Sequence, residues 1–181
     1  MAEYDFIIIG AGAAGLMMAD GMGKDPAFKD KSILLLDKDA KKTNDRTWCY
    51  WEQGPGPFDT ILHKSWDHVY VSGNQLTKSF PINPYSYKMI RGIDFYETFL
   101  QRIESYPNVL FVQETVVEII DYRNSNVKVS TGQHTYEATQ VFDSRFLYKK
   151  IQEAPKYPIL QQHFIGWFIK TEEPVFDDTQ A

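Results

Sequence analysis

Residues 4–15 read Tyr-Asp-Phe-Ile-Ile-Ile-Gly-Ala-Gly-Ala-Ala-Gly, an apolar run that breaks into glycine at positions 10, 12 and 15. Phe6 to Ile9 carry no polar side chain, as expected of a parallel strand covered on both faces, and Leu16 to Met22 continue as a mostly apolar helix. In a strand–turn–helix of this kind each glycine has its own task. Gly10 makes the tight turn, Gly12 lets the backbone approach a pyrophosphate, and Gly15 lets the helix lie close on the strand. The free N–H groups and partial positive charge of the helix N-terminus face the phosphates. The whole turn, Gly10, Ala11, Gly12, Ala13, Ala14 and Gly15, is therefore a candidate cofactor-binding segment.

The next strand fits the same chemistry. Ser32 to Leu36 form a second apolar run that ends at Asp37, at the spacing where an acid holds a ribose hydroxyl. Asp37 with Lys38 beside it suits an unphosphorylated ribose better than a 2′-phosphate. The alternative is a glycine turn in an unrelated domain with Asp37 as a solvated strand end. It leaves the ordered arrival of strand, turn, helix, strand and acid unexplained.

Composition sets outer limits. A chain of 181 residues with 43% hydrophobic and 24% charged content is an ordinary soluble globular protein with room for one good core. The formal net charge of -5 argues against a nucleic-acid partner. The one cysteine, Cys49, excludes an intrachain disulfide and fits a reducing compartment. His63, His68, His134 and His163 lack metal-ligand spacing, so no metal site is expected. The N-terminal apolar run has no basic leader and is used at once as a strand, and no apolar stretch reaches the roughly 18 residues of a spanning helix. The expected location is the cytoplasm or the inner face of a membrane.

Along the chain, the pattern predicts an α/β unit over about 1–150, interrupted by an insertion at about 44–90, and a second region beginning over 151–181. Lys38 to Arg46 is a polar, turn-rich loop. The aromatic patch Trp48-Cys49-Tyr50-Trp51 continues that loop and leads to Gly54-Pro55-Gly56-Pro57. Val69 to Ser72 and Lys78 to Ile82 read as strands around Gly73-Asn74. Ile93 to Ser105 reads as a helix with Phe95, Phe99, Leu100 and Ile103 on one face. Val109 to Val112 is a parallel strand. Glu114 to Asp121, Asn126 to Ser130 and Thr135 to Thr139 form a meander with turns at Asn124-Ser125 and Gly132-Gln133, and Gln140 to Asp143 returns to the sheet. Ile159 to Thr171 reads as a long strand.

This order resembles the FAD-binding half of the glutathione-reductase-like flavoproteins: a Rossmann-like domain with a parallel sheet, an inserted β-meander, and the beginning of a mostly β substrate domain. A narrower resemblance is to the lycopene cyclases of carotenoid biosynthesis. It is carried by Tyr4 to Gly15, Asn44-Asp45-Arg46-Thr47-Trp48-Cys49-Tyr50-Trp51, Val141-Phe142-Asp143-Ser144-Arg145, and Gln162-His163-Phe164-Ile165-Gly166-Trp167. Asp45-Arg46 is a departure from that family's pattern, and Ser144 and Phe146 stand where it commonly has glycines.

The resemblance implies a reduced FAD, kept so by NAD(P)H, and a linear carotenoid such as lycopene whose end group is protonated and closed to a β-type ring without net redox change. It also implies peripheral membrane contact in the full-length protein. FAD would be held by the turn Gly10–Gly15 with Asp37, Lys38, Arg46, Thr47, Arg91, Val116, Val117 and Asp143. Trp48 and Tyr50 would reach the substrate, since aromatic faces bury a polyene and attract a transient cation. Trp51 and Phe99 read more simply as core, and Arg46 and Arg91 compete with ordinary solvated roles. The catalytic acid is expected beyond Ala181, so that this chain alone would not cyclise its substrate. An FAD-dependent monooxygenase, a geranylgeranyl-reductase-like enzyme and a non-catalytic flavin-binding module share the N-terminal features.

Overall fold

The structure is a computed structural model that describes residues 2–122, 126–146, 160, 162–163 and 169–181. Its strands are β1 (Ala2–Ile9), β2 (Ile33–Asp37), β3 (Thr47–Gln53), β4 (Lys64–Trp66), β5 (His68–Gly73), β6 (Leu76–Pro81), β7 (Tyr85–Arg91), β8 (Val109–Gln113), β9 (Val116–Asp121), β10 (Val127–Thr131) and β11 (Thr135–Asp143). Its α-helices are α1 (Ala13–Lys24) and α2 (Gly92–Glu104).

The main sheet is six-stranded, in the order β8-β2-β1-β11-β10-β9. β8, β2, β1 and β11 run parallel, and β9 and β10 continue the sheet antiparallel. Ile33 to Asp37 are all buried, which is why β2 reads as an unbroken apolar run rather than an alternating one. Successive side chains of β1 and β2 feed two cores. Ile8, Ile33 and Leu35 pack with α1 and α2 on one side. Ile7, Ile9, Leu34 and Leu36 pack with Val116, Val129 and Tyr136 on the other.

One correction concerns the meander. The expected separate return strand does not exist. Thr135 to Asp143 contains no glycine or proline, so β11 runs unbroken, pairing with β10 through Ala138 and with β1 from Tyr136 to Asp143. The meander is thus the edge of the main sheet. The expected turn at Gly132-Gln133 is present, closed by the Thr131 N–H donating to His134 O at 2.9 Å. The turn at Asn124-Ser125, most of the Ile159 to Thr171 strand and the Phe164 to Trp167 part of the family-like segment lie outside the described residues.

The second correction concerns the insertion, which holds a three-stranded sheet, β3-β7-β4, and the hairpin β5-β6. Thr47 to Gln53 is a strand, not part of a polar loop, because every residue pairs with β7. Alternation then sorts its aromatics. Trp48 and Tyr50 face inward against the α1–α2 core, with Trp48 ring centroids 5.1 Å from Phe95 and 6.0 Å from Tyr96. Trp51 faces outward and is 54% exposed, the reverse of a core residue. β7 shows no clean apolar alternation because Lys88 occupies a buried position. Its ammonium donates to Glu52 Oε2 at 2.8 Å, Asp59 Oδ1 at 2.6 Å and Gly54 O at 3.0 Å.

The last described residues join the same region. The Ala181 N–H donates to His68 O and its carbonyl accepts from Tyr70 N–H, while Lys64 pairs with Asp178 at 3.0 Å. No helix among the described residues is long and apolar enough to cross a membrane.

Phe95 is the hub of this packing: it is 3% exposed and stacked on Phe99 at 4.2 Å. Phe95→Ala is expected to lower stability by about 3–5 kcal/mol in chemical denaturation. Trp51→Ala on the open face is expected to cost less than about 1 kcal/mol.

Candidate functional site

The candidate site lies where the C-terminal ends of β1, β2 and β11 meet, the position at which open parallel sheets bind ligands. Gly10 comes directly after β1 with φ +98, a left-handed conformation that favours glycine. Its N–H donates to Leu36 O at 2.7 Å, and on the other side Ser144 N–H donates to Ile9 O at 2.9 Å. The turn is therefore tied to both neighbouring strands. At Gly15 a Cβ would stand inside the Gly10 carbonyl, so only glycine lets α1 start directly over the end of β1.

Gly12 differs from both. It is the N-cap of α1, no side chain caps the helix there, and no acid occupies the first turn. A Cβ added at Gly12 would meet nothing within 4 Å, since the position opens into a cleft. The first N–H groups of a helix have no intrahelical partners, and here they are left for an external acceptor.

That cleft has a volume of about 510 Å³ and is lined by Gly10, Gly12, Asp37, Arg46, Val116 and Arg145 among others. Asp37 is buried and serves the turn directly: Oδ2 accepts from Ala11 N–H at 2.6 Å and Oδ1 from Asp39 N–H at 2.8 Å. Lys41 Nζ stands 3.3 Å from the same Oδ2 and 5.6 Å over the Tyr96 ring. Each carboxylate oxygen offers two acceptor sites, so Asp37 can brace the turn and still receive a ribose hydroxyl. Lys38, Lys41, Arg46 and Arg145 surround the cleft with positive charge.

The loop that carries Arg46 is anchored by the residues that depart from the family-like pattern. Asp45 pairs with Arg46 and accepts from Tyr96 OH at 2.8 Å. Burial raises the Asp45 carboxyl, but the hydrogen bonds from Tyr96 and Arg46 prevail and hold it below its ordinary value. Tyr96 in turn is pushed up to about 12 by burial and by Asp45. Gly92 N–H donates to Arg46 O at 2.8 Å, which fixes the loop against the start of α2.

On the far wall Arg145 grips Asp143 through both carboxylate oxygens, each at 2.9 Å, and donates to Val116 O at 2.9 Å. Burial raises the Glu114 carboxyl, and donors Thr131 (2.6 Å), His134 (2.6 Å) and Tyr136 (3.1 Å) more than offset this, leaving it below its ordinary value.

Of the residues proposed from sequence, the structure brings Gly10, Gly12, Asp37, Lys38, Arg46 and Val116 to the cleft, with Asp143 at its rim under Arg145. Ala11 contributes its N–H to Asp37, and Gly15 lies buried beneath the turn. Ala13 and Ala14 sit on the first turn of α1 and do not line the cleft. Thr47 and Arg91 face each other across β3 and β7 outside it, and Arg91 is bound to Asp94 at 2.7 and 2.8 Å near His63 and Thr98. Val117 is 66% exposed, since alternation turns it away from Val116. Trp48 and Tyr50 face the core. Sequence reasoning missed Lys41, Glu114, Ser144 and Arg145 as wall residues. For 144–146 the signal was available, because residues directly after a strand beside β1 must lie at this switch point. Among the described residues no group of side chains could hold a metal ion.

Asp37→Asn strips the counter-charge from Lys41, whose side chain is 11% exposed, and is expected to cost about 3 kcal/mol in urea denaturation. Because the Glu114 carboxyl lies below its ordinary value of 4.5, its stabilisation is complete above that value and is lost as pH falls through the folded value. Acid unfolding of Glu114→Gln is therefore expected to show a shallower loss of stability below pH 4.5 than wild type.

Comparison with known proteins bears on the fold and on the family. A mouse protein (Mus musculus), the mitochondrial ubiquinone biosynthesis monooxygenase COQ6, is 36% identical over 36% of this chain and 15% of its own. A variant of PqsL from P. aeruginosa superposes with a TM-score of 0.64 at 11% identity, over 90% of this chain and 48% of that one. The p-nitrophenol 4-monooxygenase PnpA from Pseudomonas putida DLL-E4 superposes with a TM-score of 0.61 at 17% identity, over 79% and 41%. The chain thus spans less than half the length of these relatives. At such identities the structural likeness is one of fold, and the fold is the FAD-binding, Rossmann-type architecture of flavoproteins. The family model described as lycopene cyclase protein matches residues 5–181, essentially the whole chain, and the chain belongs to that family.

Proposed function

We propose that the cleft binds FAD and that the whole protein of which these residues form a part is a lycopene cyclase, closing the end groups of a linear carotenoid to β-rings. The observation that carries the cofactor reading is the uncapped start of α1 at Gly12, open to a cleft ringed by Lys38, Lys41, Arg46 and Arg145. In this reading the α1 N–H groups and Arg46 hold the pyrophosphate, Asp37 receives the ribose hydroxyls, and Asp143, oriented by Arg145, meets the flavin end. The bound cofactor, kept reduced by NAD(P)H, supplies negative charge beside a carbocation as it develops. The family match supports the carotenoid substrate. A polyene of that kind resides in the bilayer, so the whole protein is proposed to work at the cytoplasmic surface of a membrane without crossing it.

The residues of this chain contribute position and electrostatics rather than chemistry. The glycine turn admits the pyrophosphate, the cationic rim neutralises it, the α1–α2 core with Tyr96 backs the Arg46 wall, and the core of Val116, Val129 and Tyr136 backs the other. A second reading, an FAD-dependent monooxygenase or reductase, is favoured by the 36% identity to the mouse monooxygenase. The two differ in stoichiometry, because cyclisation consumes no net NAD(P)H whereas oxygenation or reduction does.

The complete open reading frame containing these residues, expressed in lycopene-accumulating bacterial cells, is expected to convert lycopene to mono- or bicyclic carotene. Unchanged lycopene together with a soluble, flavin-loaded protein that consumes NAD(P)H would contradict the cyclase reading and support the second.

A further inference from the structure

Arg46 lines the cleft with a charge that Asp45 opposes at close range, and the geometry of that pair decides what the guanidinium can still bind. The Arg46 side chain is 52% exposed and that of Asp45 39%. Arg46 Nε and Nη2 donate to the same carboxylate oxygen, Asp45 Oδ2, at 3.1 and 3.0 Å. A guanidinium has five N–H groups. Two are used in this pair, and among the described residues nothing accepts from the other three.

The other carboxylate oxygen, Asp45 Oδ1, accepts from Tyr96 OH at 2.8 Å. Tyr96 is 1% exposed, and its ring meets Trp48 and Phe95 edge-on with centroids 6.0 and 6.4 Å away. A buried hydroxyl needs a partner, so the phenol fixes the carboxylate while the core fixes the ring. The backbone of the loop is held as well. Gly92 N–H donates to Arg46 O at 2.8 Å, and Ile93 N–H donates to Asn44 Oδ1 at 3.4 Å. A Cβ at Gly92 would stand 2.9 Å from Arg46 O, so glycine at this position lets the loop lie directly on the start of α2. Neither Tyr96 nor Asp45 lines the cleft, so either can influence a ligand there only through a neighbour that does.

We infer that Asp45 and Tyr96 are positioning residues for the cofactor, holding the Arg46 guanidinium so that its three remaining N–H groups serve the pyrophosphate, a role that rests on the FAD reading above. An unrestrained arginine loses rotamer freedom when it grips a ligand, and one already held by two hydrogen bonds has less to lose. The arrangement has an opposing effect, since a carboxylate beside the cleft repels phosphate. Charge and position therefore predict opposite signs for the removal of Asp45. On charge alone FAD binds more tightly without it, whereas with Arg46 set loose FAD binds more weakly. Tyr96 separates the same two effects in another way, because Tyr96→Phe changes no charge and keeps the ring face that lies 5.6 Å from Lys41 Nζ.

The complete apo-protein is titrated with FAD, followed by flavin fluorescence, as wild type and as Asp45→Ala, Tyr96→Phe, Arg46→Ala and the double variant of the last two, with the thermal midpoint of each recorded. Asp45→Ala is expected to weaken FAD binding about tenfold, Tyr96→Phe about threefold and Arg46→Ala about tenfold or more. Adding Tyr96→Phe to Arg46→Ala is expected to change the affinity no further, because the hydroxyl acts through the arginine. Unchanged or tighter binding by Asp45→Ala overturns the inference and assigns Asp45 an effect of charge alone. An equal loss from Tyr96→Phe in the wild-type and Arg46→Ala backgrounds also overturns it and leaves Tyr96 a core residue. So does full FAD affinity in Arg46→Ala, which leaves the cofactor reading standing. A folded wild type that binds no FAD overturns the cofactor reading itself, and the inference with it.

Discussion

The close approach of Gly15 to the Gly10 carbonyl is the contact on which the rest of this structure depends. It sets α1 directly over the end of β1, and with it the direction in which the first helical N–H groups point. Nothing in the turn holds that geometry alone. β2 braces it through Leu36 O and the Asp37 carboxylate, and β11 through Ser144. Hydrogen bonds to a charged group contribute about 1.5–3 kcal/mol each. The buried Asp37 bond to Ala11 N–H is therefore a large share of what keeps the turn open toward the cleft. Ser144, where the family commonly has glycine, fits because Gly10 has no side chain. Its hydroxyl donates to Ile9 O at 2.8 Å and fills the space that a Cβ at Gly10 would need.

The insertion is joined to this frame by an aromatic core on one face and a buried ion cluster at one edge. Trp48, Tyr50 and Phe58 extend the α1–α2 core outward. Lys88, with Glu52 and Asp59, ties β7 to the loop after β3. Its charge is fully partnered, which is the condition under which an ammonium tolerates burial. On the opposite face Trp51 stays exposed, while Trp66 donates its indole N–H to Asp178 O at 3.2 Å.

Much of this is legible in the residues, and the exceptions have physical causes. The strand–turn–helix, Asp37, α2 with Phe95 and Ile103, and the β5-β6 hairpin are readable because local periodicity and turn chemistry decide them. β7 is not, because Lys88 breaks the apolar alternation and is rescued only by Glu52 and Asp59, which lie elsewhere in sequence. The aromatic patch at 48–51 reads as a continued loop when its pairing with β7 is unseen. Without that pairing the inward and outward sides of Trp48 and Trp51 cannot be assigned. Arg91 looks like a cleft residue from its place before α2, but Asp94, one turn into that helix, captures it. Arg145 follows directly after β11 and is open to placement at the switch point, whereas Lys41 and Glu114 reach the cleft only through tertiary contacts, which no spacing rule reports.

The space in front of Gly12 is where the proposed dinucleotide would lie. Gly12 has φ -74, an ordinary extended conformation that valine adopts without strain, and an added Cβ would meet no protein atom within 4 Å. Replacement there probes occupancy of the cleft rather than folding. The decisive experiment is titration of FAD into the complete apo-protein, as wild type and as Gly12→Val, with the thermal midpoint recorded for both. Binding of one FAD per chain by wild type and a sharp loss by Gly12→Val at an unchanged midpoint is the predicted result. Equal affinity in the two proteins, or no binding by a folded wild type, would contradict it.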